Sequence, residues 1–265
     1  MFLGDDNLIY FFISFMATVL GAIAGLGGGI IIKPLMDLLS TYNASTIGLL
    51  SSICVLIMSI ISLFKNISSN FEYSYMNIAL LSIGSLLGGY IGNYILYYLT
   101  FSLDDNTIKL IQNILLIIQL IFVLLYMNIM RKSLSFNVNN KIFILFIGLF
   151  LGTISTFLGI GGGPINLAIF CLFFSMEIKD ATINSIAIVL SSQLSKLFIV
   201  AVSENIFNYD LHIIFFMLPG AILGGYIGSW LNKIINSKSI LNIYNLSLLF
   251  VIFITSINIF NYFPS

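Results

Sequence analysis

Gly25-Leu26-Gly27-Gly28-Gly29-Ile30-Ile31-Ile32-Lys33-Pro34 places four glycines in five residues, inside an apolar run that begins near residue 8 and resumes to about residue 39. Each glycine costs helix stability relative to alanine, so the run reads as a helix broken at 25–29. In lipid, freed backbone N–H and C=O groups are tolerated only where protein or a water-lined cavity satisfies them. A break at membrane depth is therefore a candidate solute site. The helix restarting after Gly29 would turn bare N–H groups toward whatever binds. The device recurs 134 residues on, as Gly159-Ile160-Gly161-Gly162-Gly163-Pro164. Paired breaks in two halves of a chain are the best pointer from sequence to a transporter's binding site.

Composition supports a lipid environment. The 265 residues are 59% hydrophobic and 8% charged, with a mean hydropathy of +1.09, where a soluble chain carries about 25% charged residues. Ten basic and ten acidic side chains cancel, giving no cue for nucleic acid or for a basic membrane-surface patch. The start, Met1 to Asp6, has acids where a signal peptide has a basic region, so the first apolar segment is expected to be retained. Cys54 and Cys171 sit in apolar segments at positions that do not correspond, as small apolar fillers rather than a disulfide.

Ten apolar segments can be drawn, near 8–24, 30–39, 46–64, 75–99, 108–130, 142–158, 165–176, 183–202, 211–231 and 240–260. Most approach the roughly 20 residues that cross a bilayer. The second and seventh are too short to span alone and read as half-helices or re-entrant pieces. Gly84-Ser85-Leu86-Leu87-Gly88-Gly89-Tyr90-Ile91-Gly92 reappears as Gly220-Ala221-Ile222-Leu223-Gly224-Gly225-Tyr226-Ile227-Gly228, and Ser45-Thr46-Ile47 aligns with Ala181-Thr182-Ile183, both at an offset of 136. These landmarks predict two homologous repeats, 1–134 and 135–265, joined by the polar linker around residues 131–141. The expected fold is an all-α polytopic membrane protein of eight to ten transmembrane helices, broken at 25–29 and 159–163.

If all ten segments cross, Lys33, Lys65, Arg131, Lys132, Lys141, Lys179, Lys233 and Lys238 fall on one side, and Lys109 and Lys196 on the other. This bias follows the positive-inside rule and places the central linker in the cytoplasm. Five segments per half would make the repeats inverted, a common transporter plan.

The glycine triplets Gly27, Gly28, Gly29 and Gly161, Gly162, Gly163 admit two roles, an anion site at helix N-termini or close helix packing; their duplication and flanking prolines favour the site. Pro164 suits a first helical turn, where its missing N–H is no loss. Glycines four apart in the fourth and ninth segments read as packing stripes across the interface of the halves, with Tyr90 and Tyr226 able to offer a hydroxyl to a cavity. Lys33 could pair with an anionic substrate or snorkel to the interface, and the second half has Leu167 in its place. Ser192, Gln193 and Lys196, with Ser51 and Ser52 in the first half, are further candidate substrate contacts, as hydroxyls and an amide could replace an oxyanion's hydration shell. The alternative for each is an interhelical hydrogen bond. Ser195 shares one helical face with Ser192 and Lys196, and Ser59 accompanies Ser51 and Ser52; Gln112, Asn113 and Gln119 are weaker candidates of the same kind.

The ten acids, Asp37 among them, sit near segment ends, so no carboxylate is evident at mid-membrane as a proton relay. One histidine and two scattered cysteines offer no metal or cofactor constellation, and no nucleotide-binding motif is present. The chain reads as no enzyme.

At these residues the chain resembles the TauE/SafE family of membrane proteins. The carriers of the resemblance are Gly-x-Gly-Gly-Gly followed by Pro34, its echo at 159–164, and the duplicated glycine-rich fourth and ninth segments. One departure is Ala168 where the first half has Pro34. The resemblance implies transport, often export, of small sulfur-containing anions such as sulfite or sulfonates. The sequence-based expectation is a secondary transporter in a bacterial plasma membrane, its two repeats alternating around a site between the breaks. A passive anion channel and a non-transporting scaffold are the alternatives. The implied partners are a small anionic substrate and membrane lipid, with no nucleic acid; whether the chain forms a homo-oligomer stays open.

Overall fold

The computed structural model describes residues 5–66, 75–131, 133–203 and 209–262. Glu72, Lys132 and Glu204, which entered the charge count, lie outside them. Among the described residues all regular structure is helical. The elements are α1 (Asp5–Ala24), α2 (Gly29–Leu39), α3 (Ala44–Asn66), α4 (Tyr75–Ser102), α5 (Asp105–Leu125, continued by a π turn over Tyr126–Met130), α6 (Lys141–Leu158), α7 (Gly163–Phe174), α8 (Ile178–Ser203), α9 (Ile214–Ile234) and α10 (Ser237–Tyr262).

Each apolar segment became one helix. Among the described residues, seven (α3 to α6 and α8 to α10) are long and apolar enough to cross a membrane. The apolar part of α1, Leu8–Ala24, stands at the lower limit of about 17 residues. At about 1.5 Å per residue, α2 and α7 reach roughly 16 and 18 Å, about half the hydrocarbon thickness. α7 is apolar on every side and α2 is apolar but for Lys33 and Asp37, and most residues of both are buried, as expected for helices enclosed by others. Large side chains such as Phe12, Phe64, Phe122, Phe150, Phe198, Phe215 and Phe253 point outward, an exterior that suits lipid and not water.

Packing exchanges partners between the two sequence halves. α4 lies along α6 and α9 along α1, while α3 packs on α9 and α8 on α4. The glycine stripes make these contacts. A Cβ at Gly84 or Gly88 would run into the backbone of Leu145 or Leu149 on α6, and one at Gly220 or Gly224 into Phe11 or Phe15 on α1. Side chains would hold these helices apart, so small residues let them approach closely. Tyr90 and Tyr226 face outward on the same helices, 58% and 59% exposed, away from the contacts of the stripe. The Lys65 ammonium sits over the Tyr226 ring, 3.2 Å from its centroid. Cys54 and Cys171 are buried free thiols.

Candidate functional site

The two breaks adopt the same backbone path. Gly25, Gly27 and Gly28 have φ of 67°, 81° and 72°, and Gly159, Gly161 and Gly162 have 67°, 80° and 68°. This left-handed region is open to glycine at no steric cost and strained for other residues. The departure at Ala168 therefore leaves the second break unchanged in shape. Pro164 enters the first turn of α7 as expected, whereas Pro34 lies inside α2.

The third glycine of each triplet has a different task. A Cβ on Gly29 would lie 2.6 Å from the Ile160 carbonyl oxygen, and one on Gly163 would fall inside the Leu26 backbone. The breaks thus stand back to back, each closing on the other's loop. Val55 of α3 and Val189 of α8 cap the pair, Val55 toward Gly161 and Val189 toward Gly27. The Ser185 hydroxyl donates to the Gly25 carbonyl at 2.7 Å and stands 3.4 Å from that of Gly163, tying both breaks to α8. Ser51 occupies the corresponding place on α3; its buried hydroxyl has no hydrogen-bond partner and lies 2.7 Å from the Cβ position of Gly29.

Around the second break the interior becomes polar. The Ser155 and Ser192 hydroxyls are 3.0 Å apart, and the Gln193 amide nitrogen donates to both, at 3.3 and 3.2 Å. Ser155 also backs Gly162, whose Cβ position is 3.0 Å from the hydroxyl. Thr156 on the same turn keeps a buried hydroxyl without a partner, as does the Gln193 carbonyl oxygen. The Lys196 ammonium donates to the Gly48 carbonyl at 2.9 Å, and Gly48 itself faces Gly159. Lys33 crosses from α2 to the same place, its stem carbons 3.6 Å from the Cβ position of Gly159. Two lysines, one from each sequence half, therefore meet at the second break and not at the first. Gly48 faces Gly159 as Thr182 faces Gly25, so the third and eighth helices correspond at an offset of 134 and not the expected 136. Ser155, Ser192, Gln193 and Lys196 then match Gly21, Met58, Ser59 and Ser62, and the first break keeps two buried hydroxyls but neither the amide nor the ammonium.

Several sequence expectations are placed differently by the fold. Lys33 is 2% exposed and forms a 2.9 Å ion pair with Asp37, one turn on, whose side chain is fully buried. Asp37, one of the acids expected near segment ends, does lie in the last turn of α2 and is nonetheless buried. The end of that short helix is covered by its neighbours, with Tyr262 at the end of α10 laid against it. The Ser52 hydroxyl donates to the Gly48 carbonyl within its own helix, and Ser195 reaches the Leu86 carbonyl of α4 instead of facing inward with Ser192. Gln112 donates to the Phe157 carbonyl, and Gln119 lies against an apolar cavity of about 510 Å³ between α5, α6 and α7. The sequence does not mark Ser155, Thr156, Asp37 or Gly48 as site residues. Only the serine and threonine next to a glycine break carried any local cue. Among the described residues no cluster of metal-ligating side chains is present.

The family model described as Sulfite exporter TauE/SafE matches residues 10–256, nearly the whole chain and both breaks. The chain belongs to the TauE/SafE family. It is a multi-pass membrane protein, as its apolar helices also require. It is similar to the probable membrane transporter protein YunE of Bacillus subtilis (strain 168), 24% identical over 262 residues covering 89% of this chain and 92% of that one. No solved structure gives a significant match.

Proposed function

We propose that this TauE/SafE protein is a secondary transporter of the cell membrane. Its cargo would be small sulfur-containing or organic anions such as sulfite or sulfonates, moved chiefly outward. The observation that carries the proposal is the meeting of Lys33 and Lys196 at the second break, beside the hydroxyls of Ser155, Thr156 and Ser192 and the Gln193 amide. Ammonium and hydroxyl groups are the donors an oxyanion needs when it leaves its hydration shell, and intramembrane ionisable residues mark transport pathways. The α7 N-terminus, beginning at Gly163, adds the positive end of a helix dipole. The exchange of partners between halves, α1 on α9 and α6 on α4, is the arrangement two inverted repeats would use to rock against each other around that site.

The test is thermal stability of the purified protein against sulfite, sulfate, thiosulfate, sulfoacetate, taurine and carboxylate controls. An anion at 100 times its dissociation constant stabilises the folded form by about 2.7 kcal/mol. A stabilising shift with a sulfur oxyanion that disappears in Lys196→Met is the expected result. Equal shifts in Lys196→Met and wild type would remove Lys196 from the site, and no shift with any anion would remove the substrate class. Counterflow of labelled anion in proteoliposomes separates a carrier from a channel, since only a carrier exchanges saturably.

A further inference from the structure

From the Lys33–Asp37 pair we infer a second role for the site, resting on the transport proposal above: it couples each anion to one proton. An arriving anion takes the Lys33 ammonium from Asp37, and the released Asp37 carboxylate binds a proton from the open side. Anion and proton then cross together. When the anion leaves, Lys33 returns to Asp37 and the proton departs.

Three observations and one physical argument carry this. The pair is buried on both sides, with side chains 2% and 0% exposed and a 2.9 Å contact. Asp37 places only one oxygen on the lysine; its Oδ1 is buried and has no partner. That oxygen is a vacant acceptor where a proton would form an O–H bond, and no atom is oxidised or reduced. The Lys33 stem borders Gly159, so the second break lies within the swing of an ammonium released from Asp37. Finally, a carboxylate stripped of its counter-ion in a water-poor interior carries a penalty of several kcal/mol, and protonation is the cheapest way to remove it.

The surroundings leave that role to Asp37. α1 carries no charged residue beyond Asp5 and Asp6 at its start and presents Tyr10. α3 has only Lys65, at its far end. α10 places Tyr262 over the α2 terminus, its hydroxyl donating to the Asp37 backbone carbonyl at 3.3 Å, and it holds Tyr244 on the Pro164 carbonyl. Beyond Tyr262 the Asp105 carboxylate of α5 is ion-paired with Lys109 at 2.9 Å. α8 contributes Lys196 at Gly48. Asp37 is the carboxylate in contact with Lys33. Coupling of this sign leaves direction to the gradients: efflux where the anion accumulates inside, uptake where the outside is more acidic.

The experiment uses the full chain in proteoliposomes, with labelled thiosulfate as the probe because it carries no proton of its own near neutral pH, and with the membrane potential clamped at zero. One proton per anion makes a gradient of one pH unit, acid outside, accumulate thiosulfate about tenfold in wild type, since one pH unit is about 1.4 kcal/mol. In a folded Asp37→Asn this pH-driven accumulation is lost and the ratio falls to one. Wild type needs no variant for a second readout: adding thiosulfate to the protein in weakly buffered detergent solution takes up one proton per site. Exchange of thiosulfate without pH-driven accumulation in wild type, or tenfold accumulation retained in a folded Asp37→Asn, overturns the coupling and leaves the transport proposal standing. Absence of proton uptake on a demonstrated binding event overturns it as well. If neither thiosulfate nor sulfoacetate exchanges at all, the transport proposal fails and the coupling falls with it.

Discussion

Replacing Gly29 with alanine tests the back-to-back contact of the two breaks. Gly29 has no positive φ, so the added methyl brings no backbone strain and its effect is steric. The new Cβ would lie 2.6 Å from the Ile160 carbonyl oxygen and 2.7 Å from the Ser51 hydroxyl, against at least 3.4 Å for ordinary contact. The Ile160 oxygen must therefore retreat by 3.4 − 2.6 = 0.8 Å and the hydroxyl by 3.4 − 2.7 = 0.7 Å. Ser51 can turn aside. Ile160 cannot easily do so, because it is backbone between Gly159 and Gly161, both held at positive φ. Overpacking of this kind costs about 1–3 kcal/mol, offset by up to about 1 kcal/mol because alanine favours helix over glycine. Taken at the middle of these ranges, the net loss of about 1–2 kcal/mol lowers the midpoint of thermal unfolding by roughly 2–8 °C for a chain of this size. Unfolding of the purified protein in detergent, followed by fluorescence of the single tryptophan, Trp230, measures it. Ser51→Ala alone is close to neutral, since its hydroxyl has no partner to lose. Combined with it, Gly29→Ala becomes milder by about 0.5 kcal/mol or more, the coupling expected of residues in contact. A midpoint unchanged to within about 1 °C in Gly29→Ala, or strict additivity in the double variant, would refute the contact geometry.

Two further outcomes follow from single contacts. Tyr244→Phe removes a buried 2.8 Å hydrogen bond to the Pro164 carbonyl in the first turn of α7. It lowers stability by about 1 kcal/mol, readable in the same unfolding assay, and leaves the midpoint unchanged if α10 does not hold that turn. At the start of α5, the hydroxyl and backbone N–H of Thr107 donate to the Asp104 carboxylate and hold its pKa below the ordinary value. The stabilisation this gives is present above the unfolded pKa of about 3.9 and is lost as pH falls through the lower folded value. Thr107→Val raises the folded value, which a carboxyl titration followed by NMR detects; an unmoved titration would show that the hydroxyl bond is absent.

The sequence by itself determined the membrane class, the ten helical segments, the two breaks and the packing stripes. All of these rest on local chemistry: apolar runs of spanning length, glycines that destabilise helix wherever they cluster, and small residues recurring every four positions on one face. The left-handed turns at Gly27, Gly28, Gly161 and Gly162 belong here too, since only glycine enters that region freely. Tertiary structure alone decided which glycines serve conformation and which serve contact. Gly29 and Gly163 have ordinary backbone angles and are glycine because another break lies against them, 134 residues away. It also decided that Lys33 serves the second break rather than its own, that Asp37 is buried although it ends a segment, and that Ser155 joins Ser192 and Gln193. Depth and partnership come from how helices distant in the chain pack together, and a period of 3.6 residues holds no record of that packing.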